Sequence, residues 1–205
     1  MKKLLALGLG MVISASASSA MITYEHRATD NGVDKSDYQA SWFNQNSAIT
    51  TTELDDFTRI KPASSYRHSH LSVSFDVNAQ QSGLDYWFQI APDAGLGGAV
   101  YFDYVLADHD QSNLWWGYNW NRGSELLEAF ATNLSEGTHT LDAYWAENCC
   151  NGKQSARFSV DHGTTWYALT SENLNVVGVP EPGTLALLGL GIAGLISARR
   201  ISKSK

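Results

Sequence analysis

Between residues 71 and 78 apolar and polar side chains alternate, with Leu71, Val73, Phe75 and Val77 set between Ser72, Ser74, Asp76 and Asn78. A period of two sends the two sets to opposite faces of an extended chain, so the segment reads as a strand with one buried face. Segments 85–91 and 99–107 are rich in aromatic and β-branched residues and are also predicted to be strands. Between them, Pro92-Asp93-Ala94-Gly95-Leu96-Gly97-Gly98 is a turn or loop. Segments 114–120, 138–147, 155–160 and 165–169 complete the predicted strands. Residues 125–133 fit two patterns: Leu126, Leu127, Phe130 and Leu134 suit a short helix, and Leu126, Phe130 and Leu134 also suit a strand face. Residues 21–66 carry no clear period and are polar around 30–37 and 44–52. Asn151-Gly152 is a strong two-residue hairpin signal, since both positions of a type I′ turn need positive φ; it predicts that 138–150 folds back on 153–160.

Short strands joined by turns, without long intervening helices, predict an all-β fold, a single β-sandwich or jelly-roll-like domain. No repeat of constant period is visible, which argues against a propeller or solenoid. Both ends differ from the middle. Met1-Lys2-Lys3 is basic, residues 4–13 are apolar apart from glycine, and small residues follow to Ser18-Ser19-Ala20, the order of a signal peptide over residues 1–20. Residues 185–198 form a second apolar run, followed by Arg199, Arg200, Lys203 and Lys205. A spanning helix needs about 20 apolar residues, so this one is short, and the positive-inside rule leaves its basic tail in the cytoplasm. The expected organisation is a signal peptide (1–20), a β-sandwich ectodomain (21–178) and a C-terminal segment (179–205) with a short transmembrane helix.

Charge separates the parts further. The whole chain carries a formal −7, but the middle holds 8 basic and 20 acidic residues, a net −12. Such a surface argues against nucleic acid and against direct binding to anionic lipid, and suits an extracellular domain.

Val179-Pro180-Glu181-Pro182 directly precedes the apolar run, and Arg199-Arg200 follows it. Together these resemble the PEP-CTERM sorting signal. That resemblance implies recognition by an exosortase, an inner-membrane cysteine transpeptidase of Gram-negative bacteria that make exopolysaccharide. It also implies a helix that anchors the protein in the inner membrane in transit and is then removed, leaving the protein at the cell surface or in the biofilm matrix. Cys149 and Cys150 are the only cysteines. Cys149-Cys150-x-Gly152 ahead of such a tag resembles the CCXG family of these proteins, a likeness that implies no activity. Export places the pair in an oxidising compartment. A vicinal disulfide is the favoured expectation, beside intermolecular cross-links and free thiols holding a soft metal; the pair lacks the spacing of a zinc site. Ser159-Val160-Asp161-His162-Gly163-Thr164-Thr165-Trp166 resembles an Asp-box, with Ser159, Asp161, Gly163, Thr165 and Trp166 at its defining positions. The resemblance implies a structural turn tied by its carboxylate and packed on its tryptophan.

No catalytic motif, cofactor motif or metal site stands out. His68 and His70 would share one face of a strand, and a solvated strand start is the expected reading. Asp108-His109-Asp110-Gln111-Ser112 lacks the glycine and closing glutamate of a calcium loop. The aromatic segment Trp115-Trp116-Gly117-Tyr118-Asn119-Trp120 is the better lead. As a strand it would place Trp116, Tyr118 and Trp120 on one face, either filling the core or stacking on sugar rings, with Asn119, Asn121 and Arg122 supplying hydrogen bonds. The expected function is adhesion or exopolysaccharide association. The alternatives are a secreted hydrolase, whose two carboxylates sequence spacing does not identify, and a structural matrix protein cross-linked through its cysteines.

Overall fold

The computed structural model describes residues 20–62, 66–150 and 152–178. The predicted signal peptide ahead of Ala20, Asn151 and the sorting segment 179–205 lie outside the described residues. Among the described residues the chain is all-β, with every strand antiparallel to its neighbours. The first strands are β1 (Met21–Ala28), β2 (Thr50–Leu54), β3 (Arg67–Val77), β4 (Tyr86–Ala91), β5 (Asp93–Ala94) and β6 (Gly98–Phe102). The rest are β7 (Val105–Asp110), β8 (Leu114–Trp115), β9 (Leu127–Ala131), β10 (Gly137–Glu147), β11 (Ser155–Ser159) and β12 (Tyr167–Ala168). A large sheet runs β2-β1-β3-β10-β6-β7, a small one β12-β11-β4-β9, and β5 pairs with β8.

The alternation at 71–77 is the facing pattern of β3. Leu71, Val73, Phe75 and Val77 are buried with Ile22, Tyr24, Leu141, Ala143 and Trp145 from the same sheet. Tyr86, Phe88, Ile90, Leu127, Ala129, Ala156 and Phe158 of the small sheet complete the core. Phe75 spans the interface, with ring centroids 5.5 Å from Tyr86 and 5.7 Å from Phe88. Each such side chain contributes about 1.5–3 kcal/mol on burial, so contact between the sheets is the main source of cohesion.

Two sequence expectations change here and one left open is resolved. The single run 99–107 is a hairpin of β6 and β7, turning at Asp103 and Tyr104 with φ of 46° and 65°. This is the sign pattern of a type I′ turn. Asp103 tolerates it because β10 holds its carboxylate: the Thr140 N–H donates to it at 2.8 Å, and His139 Nδ1 lies 2.7 Å away. The ambiguous stretch 125–133 forms a 3-10 turn (Gly123–Glu125) and then β9, because β4 takes Leu127–Ala131 as its edge partner. The Asn151-Gly152 hairpin does not form as predicted. β10 pairs with β3 and β6, whereas β11 pairs with β4 and β12, so the intervening chain crosses from one sheet to the other.

The outer face of the large sheet is roofed by helix α1 (Tyr38–Phe43), capped by Asp37 accepting from the Ala40 N–H at 2.8 Å. Tyr38 and Trp42 pack on Ala99 and Tyr144. Arg27 secures the roof, donating to the carbonyls of Trp42, Gln45 and Ser47 beneath the Trp42 ring. His68 and His70 are therefore not a solvated strand start; both are buried under this segment. His70 stacks flat on Tyr144 at 4.3 Å, with Glu25 3.0 Å from Nδ1 and Asp142 2.9 Å from Nε2. Helix α2 (Ser171–Val176), capped by Thr170, brings the two ends of the body together: the Ala20 N–H donates to Asn175 Oδ1 at 3.1 Å. Among the described residues no helix is long and apolar enough to cross a membrane.

Candidate functional site

Among the described residues, the outer face of the small sheet has no comparable roof. β11 buries Ala156 and Phe158 in the core, which turns Arg157 outward. The strand register aligns Arg157 with Gln89 and Gln89 with Glu128. Arg157 Nε donates to Gln89 Oε1 at 2.7 Å, and Gln89 in turn donates to the Glu128 carboxylate. The Arg157 guanidinium lies between two indoles, 4.3 Å from the centroid of Trp120 and 4.1 Å from that of Trp166. Burial between the rings draws its pKa down, and Glu128 opposes the shift. Arg157 makes no ion pair among the described residues.

A cleft of about 280 Å³ opens beside it, lined by Arg59, Trp116, Tyr118, Trp120, Arg157 and Trp166, with small and hydroxyl side chains filling the gaps. The three aromatics of the 114–120 segment thus meet at one cleft, but not as a strand face. β8 ends at Trp115, and Gly117 and Tyr118 turn the chain with φ of 58° and 61°. The turn folds Trp116 back on Ala91 and Leu126, where it is buried and its indole N–H donates to the Lys153 carbonyl at 2.8 Å. Tyr118 is 47% exposed, with Arg59 6.0 Å from its ring centroid. Trp120 is half-buried, 4.9 Å from Trp116. Asn119 does not join them: it is exposed, and its side chain accepts from the Asn121 N–H within its own turn. Arg122 is spent on the Trp115 carbonyl at 2.7 Å. The sequence reading missed Arg157, Arg59 and Gln89. The available signal was an arginine at an outward position of a strand in a domain with only five arginines.

The Asp-box residues form the turn between β11 and β12. The Asp161 carboxylate accepts from the Thr165 N–H at 2.8 Å and from Ser159 Oγ at 2.7 Å, contacts that hold its pKa down at about 2. Ser159 Oγ also accepts from the Gly163 N–H at 2.9 Å. Gly163, at φ 79°, lies so close to Trp87 that a Cβ there would approach the ring to 2.9 Å. Trp166 meets Trp87 edge-on at 5.3 Å and walls the cleft.

Cys149 and Cys150 lie on the crossing between the sheets, beside Trp115. Both are exposed and free in this structure. Cys150 has a φ of 58°, in the left-handed region. The hydrogen bond with Cys150, together with desolvation and nearby carboxylates, pushes the Cys149 thiol up to about 11. The loop is fastened by two buried acids. Glu147 accepts from the Gly95 and Cys149 N–H groups at 2.9 and 2.6 Å, and Asp93 accepts from the Gly152 N–H. Burial raises Asp93 to about 6 against that hydrogen bond, with Glu147 adding to the rise. Gly152 has no room for a side chain, since a Cβ would come within 2.4 Å of Trp115. No group of three or more potential metal ligands occurs among the described residues.

A PEP-CTERM protein-sorting motif matches residues 178–201, which makes the chain a PEP-CTERM protein. No curated protein matches the sequence. Among solved structures the chain is similar to the PA14 sugar-binding domain from an RTX adhesin, with a TM-score of 0.51 and 11% identity over 76% of this chain and 97% of that one. It is also similar to the PA14 domain of the antifreeze protein MpAFP, with a TM-score of 0.50 and 13% identity over 78% of this chain and 93% of that one. At these identities the likeness shows a shared fold alone.

Proposed function

We propose that this protein is exported, held at the inner membrane by its C-terminal segment, and transferred by an exosortase to the cell surface or matrix, where it binds polysaccharide. The sorting motif at 178–201 supports the route. The observation that carries the binding function is the cleft. Tyr118 presents a half-exposed ring beside Trp120, and arginines and hydroxyls surround them. A sugar offers the complementary surface, an apolar ring face edged by hydroxyls. The fold shared with an adhesin domain described as sugar-binding agrees with this assignment. Retaining or inverting hydrolysis would require two carboxylates facing the substrate. The cleft lining holds arginines instead, so binding is favoured over cleavage.

The test is a glycan-binding screen of the full-length chain, with Tyr118→Ala and Trp120→Ala as controls. Binding of a glycan by the parent that both variants weaken is the expected result. A screen in which no glycan binds, or in which both variants bind as well as the parent, overturns the assignment.

A further inference from the structure

The cleft is an electropositive island on an acidic body. Residues 20–178 hold 20 carboxylates against 8 basic groups, yet the cleft lining includes two arginines and no aspartate or glutamate. Of the three other arginines in this part of the chain, Arg27 is buried on backbone carbonyls, Arg122 is bound to the Trp115 carbonyl, and Arg67 lies on β3, away from the cleft. Glu128, whose charge is felt at Arg157, makes no ion pair with it among the described residues and is linked to it by Gln89. Asp56 stands behind Thr58, accepting its hydroxyl.

The state of Arg157 is informative. An arginine with no other role would extend into water. This one lies between Trp120 and Trp166, 4.3 and 4.1 Å from their ring centroids, with its Nε fixed by Gln89. Two indoles flank the guanidinium and its Nε is engaged, while among the described residues its terminal amino groups have no hydrogen-bond acceptor. A fork preset in this way matches a carboxylate, which accepts two parallel N–H bonds in one plane. Orienting the side chain in advance removes an ordering cost that a ligand would otherwise meet.

Resting on the assignment of the cleft to polysaccharide, we infer that its ligand is an acidic saccharide, a sugar ring bearing a carboxylate that Arg157 receives, with Arg59 adding charge and Tyr118 supporting the ring. The surrounding acidic surface repels polyanions in general, so only a chain that seats a carboxylate in this cleft gains from contact. This gives selectivity for a uronate polymer over other anionic chains.

The experiment uses the full-length chain against polygalacturonate, polymannuronate and hyaluronate, each paired with its carboxyl-reduced form, so that backbone and linkage are unchanged and only the charge is removed. The expected result is binding of at least one uronate at least about tenfold tighter than its reduced partner, in line with the strength of a charge-assisted bidentate pair. Arg157→Lys keeps the charge and loses the fork, and should weaken binding by about tenfold. Arg59→Gln, at an exposed site, should weaken it by about threefold without affecting the fold. Near-UV circular dichroism checks that the Arg157 variant is folded. Equal binding of a uronate and its reduced form overturns the acidic-ligand inference and leaves polysaccharide binding standing. Failure to bind any of the six polymers overturns the inference, while neutral glycans binding in the wider screen would still preserve the broader assignment.

Discussion

The two outer faces of this molecule start from similar material and reach different ends. On the large sheet, Tyr144, His68 and His70 gather on one face, and the segment from residue 29 to 49 closes over them with its own Tyr38 and Trp42 and with Arg27 as its fastening. On the small sheet, Trp87, Trp120, Trp166 and Arg157 gather on the opposite face, and among the described residues no segment closes over them. In the first case the arginine satisfies backbone carbonyls; in the second its terminal amino groups are left available. Aromatic and cationic side chains alone therefore do not mark a binding face. What separates structure from function here is whether the chain supplies its own cover.

This contrast predicts opposite responses to the same kind of substitution. The largest effect is expected under the roof, where Trp42→Ala removes a fully buried indole and should cost about 3–5 kcal/mol in denaturant unfolding without changing glycan affinity in the folded fraction. A cost below about 1 kcal/mol would mean the roof is loosely held. Next comes acid sensitivity. Burial holds His68 down at about 4, so the unfolded chain takes up the proton first, and stability drains as pH falls from about 6.5 to about 4. His68→Asn should remove up to about 3 kcal/mol of that slope. Asp93 runs the other way: its raised pKa means the folded chain keeps a proton that the unfolded chain has released, so stability falls as pH rises from about 4 to about 6. Superimposable pH profiles for parent and His68→Asn would refute the buried neutral histidine.

On the open face the order reverses. Trp120→Ala should cost about 1 kcal/mol of stability, through its contacts with Trp116 and Arg157, but weaken polysaccharide binding about tenfold. Tyr118→Ala should leave stability within about 0.5 kcal/mol and still lower affinity. The smallest effect concerns the loop behind the cleft. Oxidation of the exported protein should lower its intact mass by two hydrogens through a Cys149–Cys150 bond while the chain stays monomeric. Dimers on a non-reducing gel would point to cross-linking instead.

How much of this was legible in the sequence follows from which interactions are local. The alternation at 71–77 is a property of one strand, and it reads directly onto the buried face of β3. The turn from Ser159 to Thr165 is held by bonds between residues at most four apart, so its pattern is local in the sequence. β10 and β11 do not pair as the expected hairpin because long-range pairing, with β3 and β6 for one and β4 and β12 for the other, outweighs a local turn preference. The histidines were misread because their cover comes from residues 29–49, a stretch with no hydrophobic period. The three aromatics of the tryptophan segment meet at one cleft, but not as a strand face: the positive φ at Gly117 and Tyr118 makes a folded loop of the expected strand. Arg157 escaped notice because its meaning depends on Trp120 and Trp166, which reach it from two other parts of the chain.

The meeting of the body's two ends has a mechanical side. A polysaccharide pulling on the cleft would be resisted by the attachment at the C-terminal segment. Ala168 at the cleft stands only ten residues before Gly178, where the sorting motif begins. Tension would therefore run through β12 and α2, a short path clamped by Gln81 to the carbonyls of Leu174 and Val177 at 3.0 Å each. The large sheet and its roof lie off that line. They would bear little of the load, and the grip could give way and re-form at α2 while the sandwich stayed folded.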